Sequence, residues 1–271
     1  FGANDGMITV TASGTSGYQY SLNGGSLQTS NIFSGLSPGV NYNITIQDIN
    51  GCIATVGPIT ISEPTELIAS DLPGTIDCFG GTTTIDVSAT GGTSPYSGDG
   101  SFTVSAGAYS YTVTDANGCT STVSGNISEP ATLVASAAEG TILCAGGTTT
   151  IDVTATGGTP AYSGDGSFTV SAGAYSYTVT DDNGCTSTVS GNISEPAILT
   201  ISFTSSVDAT CGMANGSLEV SAGGGTPPLL FDIGGTQQSS GVFNTLIPGS
   251  YDVTVTDDNG CSTSPLSTDF T

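Results

Sequence analysis

The chain has no lysine, no arginine, no histidine and no tryptophan among its 271 residues. The 23 acidic groups are therefore unbalanced and the formal net charge is −23. Without a cation the chain cannot neutralise phosphates, so it does not bind nucleic acid. It has no basic segment to hold an anionic membrane. It cannot form an internal salt bridge between side chains. Catalysis by a Ser-His-Asp triad, a Cys-His pair, a Schiff-base lysine or a histidine-ligated metal is excluded by inventory. No apolar run approaches the ~18 residues a spanning helix needs. The chain also starts without Met and shows no signal peptide or sorting tail, which reads as an internal segment of something longer.

What remains is a dilute acid with enough apolar material to fold. Charged residues are 8% and hydrophobic residues 36%, with ten Tyr, nine Phe and 40 Gly. That mixture is not the signature of a disordered acidic chain. Its organisation is set by repetition. Residues 82–131 and 148–197 align without a gap and differ at four positions: Thr154 for Ser88, Pro160 for Ser94, Ala161 for Pro95 and Asp182 for Ala116. Diverged copies flank this pair. The turn Asp-x-Asn-Gly-Cys ends at Cys52, Cys119, Cys185 and Cys261, and Ser-Glu-Pro recurs at Ser62–Pro64, Ser128–Pro130 and Ser194–Pro196. Proline stiffens itself and the residue before it into extended backbone, which suits short joints. The expected domains are 1–64 (truncated at its start), 65–130, 131–196 and 197–271.

Each repeat reads as β throughout. Tyr109, Tyr111 and Val113 alternate with Ser110, Thr112 and Thr114, a period of two with an aromatic and β-branched face inward. Tyr42/Ile44/Ile46, Tyr175/Tyr177/Val179 and Tyr251/Val253/Val255 repeat the stripe. Further strands are expected at 83–89, 101–105 and 119–127, punctuated by Gly91-Gly92, Gly98-Asp99-Gly100 and Asn117-Gly118. The fold class is all-β: a rod of tandem small antiparallel β-sandwiches with immunoglobulin-like or Greek-key connections.

Modules this small bury little, and cysteines are a natural supplement. If the first and last strands of a sandwich start at one pole, Cys78–Cys119, Cys144–Cys185 and Cys211–Cys261 follow. Each loop then contributes about 4 kcal/mol on the chain-entropy model. Cys52 is left to pair outside the segment. Because Phe1-Gly2 resembles the Phe79-Gly80 that follows Cys78, its partner would stand one residue before Phe1. The rival pattern, Cys52–Cys78, Cys119–Cys144 and Cys185–Cys211, links neighbours and stays open. Pairing within repeats is the working expectation, since it gives each its own closure. Either pattern requires an oxidising, extracytoplasmic location.

The strings Gly107-Ala108-Tyr109-Ser110-Tyr111-Thr112-Val113-Thr114-Asp115-Ala116-Asn117-Gly118-Cys119 and Pro248-Gly249-Ser250-Tyr251-Asp252-Val253-Thr254-Val255-Thr256-Asp257-Asp258-Asn259-Gly260-Cys261 resemble the hallmark of the SprB repeat. That repeat occurs in very large surface proteins of Bacteroidetes, including a gliding-motility adhesin. The resemblance extends over all four repeats and implies secretion by the type IX route and display on long surface filaments. Two features depart from it: the absence of Lys, Arg and His, and the short Pro95-Tyr96-Ser97-Gly98 segment where the first repeat has Tyr18-Gln19-Tyr20-Ser21-Leu22.

Candidate sites are few. Asp48/Asn50, Asp115/Asn117, Asp181/Asn183 and Asp257/Asn259 offer oxygens at alternate loop positions to a calcium ion. The competing reading is an Asx-stabilised hairpin turn in which Asn-Gly supplies positive φ. No other cofactor is indicated. Carboxylate pairs can make a glycosidase, but turns copied in tandem suit a scaffold, and the chain is not read as an enzyme. The Tyr stripes would stack on sugars if exposed; at strand spacing they belong to the core. Asn43, Asn126, Asn192 and Asn215 fit the N-glycan acceptor pattern. Trypsin-like proteases find no bond to cut. The chain is therefore expected to be a stalk or fibre segment of a bacterial surface adhesin, partnered by neighbouring repeats or by copies of itself. The alternatives are a self-assembling filament subunit, whose strand edges lack the lysines that usually blunt them, and a calcium-dependent module for surface glycans.

Overall fold

A computed structural model describes residues 1–14 and 16–270. Among the described residues every regular element is a strand. The first repeat holds β1 (Gly6–Thr9), β2 (Gln19–Leu22), β3 (Ile32–Leu36), β4 (Asn41–Gln47) and β5 (Ile53–Thr60). The second holds β6 (Ile68–Pro73), β7 (Thr83–Thr90), β8 (Gly100–Val104), β9 (Gly107–Thr114) and β10 (Thr120–Ile127). The third holds β11 (Val134–Glu139), β12 (Thr148–Thr156), β13 (Gly166–Ser171), β14 (Gly173–Thr180) and β15 (Thr186–Ile193). The fourth holds β16 (Thr200–Val207), β17 (Gly216–Gly223), β18 (Leu230–Asp232), β19 (Val242–Leu246), β20 (Gly249–Thr256) and β21 (Leu266–Phe270).

Every pairing between these strands is antiparallel, and each repeat uses two small sheets. In the second repeat these are β6-β7-β8 and the hairpin β9-β10. The alternation along β9 has the expected sense: Val113 is fully buried, while Tyr109 and Tyr111 are half-buried against the same cluster. That cluster takes Ile85 and Val87 from the three-stranded sheet and Val113 and Ile127 from the hairpin, so the two sheets enclose one core. Phe102 stacks on Tyr111 with ring centroids 4.2 Å apart, and Phe168 stacks on Tyr177 at 4.3 Å. The Tyr stripes thus face inward. Separate clusters form around Ile8, Phe33 and Ile44, around Ile151, Val153 and Val179, and around Leu218, Val220 and Val253.

The sequence reading does not find β16, and it misses β6 and β11 because neither carries a strong apolar stripe. Their alternating positions hold small residues such as Ala69 and Ala135. Each edges toward the opposite sheet: Ala69 N–H donates to Ser121 Oγ of β10 and Ala135 N–H to Ser187 Oγ of β15, both at 3.0 Å. The short Pro95–Gly98 segment makes only a single bridge, Ser97 to Thr114, where the first repeat has β2.

By contacts the chain forms two compact units. One comprises Phe1–Ile76 with Gly80–Glu129, the other Asp77–Phe79 with Pro130–Thr271. Within the first unit, Gly91 shows why the double-glycine turn after β7 admits nothing larger. Its φ is +73°, and a Cβ there would run into the Glu66 carbonyl. Gly91→Ala is expected to cost about 2–3 kcal/mol, read as a lower urea midpoint at unchanged slope.

Candidate functional site

Each repeat has two chemically distinct poles. The first is built around the Asp-x-Asn-Gly-Cys turn. In the second repeat Asp115 Oδ1 accepts the N–H groups of Asn117 at 2.9 Å and Cys119 at 2.8 Å, while Oδ2 accepts Thr93 N–H at 2.9 Å. Asp181 does the same with Asn183, Cys185 and Thr159, and Asp257 with Asn259, Cys261 and Thr226. Asp48 accepts from Asn50 and Cys52. The same pole receives the chain coming from the preceding repeat. Gly92 N–H donates to Thr65 O, Gly158 N–H to Ala131 O and Gly225 N–H to Ala197 O, each at 2.8 Å.

Asp115, Asp181 and Asp257 are buried. Thr93 N–H, aided by Cys119 and Asn117 N–H, holds Asp115 below the usual carboxylate range, against the opposing effect of burial. The Thr159 and Thr226 N–H groups act likewise on Asp181 and Asp257. A carboxylate depressed in the folded state stabilises fully above its unfolded pKa, and that contribution is lost as pH falls through the folded value. Unfolding midpoints are therefore expected to hold steady down to about pH 5 and fall steeply below pH ~4. In D115N/D181N/D257N the midpoint should be lower at neutral pH and depend less on acid. A pH series of urea titrations checks both. With its carboxylate oxygens occupied by backbone donors, the turn has the geometry of the Asx alternative. Among the described residues no three Asp, Glu or Cys side chains gather as a metal centre.

The second pole holds the loop between the first two strands of a repeat, with Cys78, Cys144 and Cys211. It is also where the chain leaves. The glutamates of the Ser-Glu-Pro motif accept a loop glycine N–H: Glu63 from Gly2 at 2.8 Å, Glu129 from Gly80 and Glu195 from Gly146 at 2.6 Å. The motif is a clasp as well as a joint.

The disulfides correct the sequence reading. Cys78 bonds Cys185 and Cys144 bonds Cys261, each with Cα atoms 5.7 Å apart, and Cys52, Cys119 and Cys211 are free and exposed. Neither Cys78–Cys119, Cys144–Cys185 and Cys211–Cys261 nor the rival Cys52–Cys78, Cys119–Cys144 and Cys185–Cys211 forms. The reason is β6 and its counterparts. Because a strand precedes each loop cysteine, that cysteine opens the second strand, not the first. The eight residues of β7 then carry the chain about 25 Å to the turn pole, far beyond disulfide reach. The loop cysteine of one repeat instead bonds the turn cysteine of the next. Both bonds lie in the second compact unit. The same offset alters the place given to Cys52: a cysteine before Phe1 would stand at a loop position, whose counterpart is Cys119.

A hydrogen bond accompanies each disulfide. Asn183 Nδ2 donates to Asp77 O at 3.0 Å, and Asn259 Nδ2 donates to Leu143 O at 3.1 Å. The acceptor is in each case the residue just before the loop cysteine. The glycan-acceptor candidates scatter. Asn43, Asn126 and Asn192 are exposed on β4, β10 and β15. Asn215 is spent on its own loop, accepting Thr210 N–H and donating to Thr210 Oγ1.

The solved structures to which this chain is similar include the following three. A tetra-tandem repeat in the extending region of a large adhesion protein is 14% identical, over 99% of this chain and 92% of that one, with a TM-score of 0.29. The N-terminal eight immunoglobulin domains of Down syndrome cell adhesion molecule are 12% identical, over 93% and 45%, with a TM-score of 0.29. The Bacteroides ovatus mixed-linkage glucan utilization locus SGBP-B, in complex with a mixed-linkage heptasaccharide, is 11% identical, over 90% and 85%, with a TM-score of 0.17. Among curated proteins none matches the chain. The family model of the SprB repeat matches residues 1–27, the opening of the first repeat through β2.

Proposed function

We propose that this chain is an extracellular stalk segment of a bacterial surface adhesin, made of four β-sandwich modules bounded near Pro64, Pro130 and Pro196, and that it works by covalent durability. The observation that carries this reading is the pairing of a loop-pole cysteine with the turn-pole cysteine of the following repeat. A binding module or an enzyme gains little from such bonds, whereas a tether gains directly from them. The SprB match over residues 1–27 supports the same reading. So does the turn chemistry, which spends its carboxylates on backbone N–H groups and leaves the modules to act as supports. No catalytic constellation enters the proposal.

Two measurements test it. Antibodies against the chain should label intact cells, and brief proteinase K treatment of those cells should remove the label. Cysteines alkylated before lysis should show Cys78, Cys144, Cys185 and Cys261 protected. Labelling only after permeabilisation, with all seven thiols reactive, would overturn the reading. Calcium removal by chelator is expected to leave the melting temperature unchanged.

A further inference from the structure

The two disulfides divide residues 78–261 into three backbone segments. Residues 79–143 join Cys78 to Cys144, residues 145–184 join Cys144 to Cys185, and residues 186–260 join Cys185 to Cys261. The bonds Cys78–Cys185 and Cys144–Cys261 connect the same four cysteines crosswise. A covalent path entering at Cys78 therefore has four routes to Cys261. It can follow the backbone throughout. It can take the first segment and then Cys144–Cys261. It can take Cys78–Cys185 and then the last segment. It can cross both disulfides and run backward through 145–184. No single backbone break closes all four routes, and neither does any pair of breaks.

The surface matches this wiring. A protease that prefers large apolar side chains meets Phe79 and Leu143, 57% and 54% exposed, in the first segment and Phe203, 51% exposed, in the last. In residues 145–184 the aromatic side chains are Tyr162, Phe168, Tyr175 and Tyr177, and there is no Leu or Met. All four aromatics are half-buried and pack on the core of Ile151, Val153 and Val179. A protease that cuts after Lys or Arg finds no site in any of the three segments. The segment best hidden from attack is thus the one through which the chain still holds when both others are cut.

We propose that residues 78–261 form a cut-tolerant tether, which a protease severs only by breaking all three segments. Hydrolysis of a peptide bond adds one water and leaves a carboxylate and an amine. No electrons move, so both disulfides survive every cut. Severance then follows the product of three cutting probabilities, where an unbridged chain is severed by any one of them. The modules also hold a nicked strand in place, because Ile85, Val87, Val113 and Ile127 bind the two sheets of the second repeat into one core. The proposal deepens the stalk reading and rests on it for the use of a tether. The wiring is separable from that use. A chain that falls apart on cutting while its surface labelling stands would strike the wiring alone, and a chain that holds but is labelled only after permeabilisation would strike the stalk reading.

The test uses the full 271-residue chain, whose lack of Lys and Arg makes any introduced arginine a unique trypsin site. A flexible Gly-Gly-Ser-Arg-Gly-Gly-Ser insert is placed after Asp99, Asp165 or Thr236, one exposed loop in each segment. After trypsin and alkylation of free thiols, denaturing electrophoresis is run with and without dithiothreitol. Each single cut, and the Asp99 and Thr236 cuts together, should give fragments only under reduction. All three cuts should give two species without reductant: 1–99 bonded to 166–236, and 100–165 bonded to 237–271. In C78S/C144S any one cut should release a fragment. On the chain without inserts, chymotryptic cuts after Phe79 and Phe203 should likewise appear only under reduction. Release of a fragment by one or two cuts in the disulfide-bonded chain would overturn the proposal. So would a chain still whole after three cuts, the result of pairing within repeats, or one in four pieces, the result of pairing between neighbours.

Discussion

Pulled from its two ends in a single-molecule experiment, the oxidised monomer should stop extending at about 45 nm, and the reduced chain at about 95 nm. The bond Cys78–Cys185 spans 107 residues and Cys144–Cys261 spans 117, and the two loops interlock. The shortest covalent path runs from Phe1 to Cys78, crosses to Cys185, returns backward to Cys144, crosses to Cys261 and leaves at Thr271. It contains about 130 residues at roughly 3.5 Å each. Residues 79–143 and 186–260 are bypassed, so β7 to β11 and β15 to β20 never bear the full load. The segment from Cys144 to Cys185 is loaded against its own chain direction. Pairing within repeats would instead remove three separate loops of 40–50 residues each. That chain would stop close by, at about 50 nm, so disulfide-linked peptides from the oxidised chain are mapped beside the length measurement to separate the two topologies, and an oxidised length near that of the reduced chain would eliminate both.

The sandwich was legible because its signals are local. Val113 and Val179 fall on the buried face that a period of two assigns them, and the Asn-Gly turns join β9 to β10 and β14 to β15 as read. The tandem copies made each local reading count several times. The disulfides were not legible, because their partners depend on which pole each cysteine occupies. That in turn depends on strands with little apolar content: Ala69, Ala135 and Ala137 pack against their cores without giving a stripe. One unrecognised strand reverses the pole of the cysteine that follows it. The Glu129 clasp was hidden for a different reason. Ser-Glu-Pro reads as a joint through its proline, and only the folded chain brings Gly80 back beside it.

The missing cations have a structural counterpart. With no ammonium, guanidinium or imidazole side chain available, the carboxylates find neutral donors. Asp115 takes backbone N–H groups, Glu129 takes Gly80 N–H, and Asp71 and Glu139 take the hydroxyls of Tyr109 and Tyr175. Those hydroxyl bonds raise the two tyrosine pKa values, so their contribution is present below the ordinary tyrosine pKa and lost as pH rises through the folded one. Such bonds are less exposed to salt screening than surface ion pairs.

Hydrogen exchange should locate the stabilisation that sulfur provides. On the chain-entropy model each loop of more than 100 residues contributes about 4.7 kcal/mol. Strands β12 and β14 lie inside both loops, whereas β1 to β5 lie outside both. Reduction is therefore expected to accelerate exchange of the most protected amides in β12 and β14 by on the order of 10³-fold. The amides of β1 to β5 should exchange at their former rate. C78S/C144S without reductant should reproduce the pattern, separating loss of the bonds from other effects of thiol reagents. The reduced chain and the double variant both keep the core of Ile151, Val153 and Val179, so the modules still fold and only the restraint on their unfolded state is lost. Equal acceleration in all four repeats would mean that each depends on the bonds for its own fold. No acceleration in β12 and β14 would mean that the bonds serve under tension and add little to stability at rest.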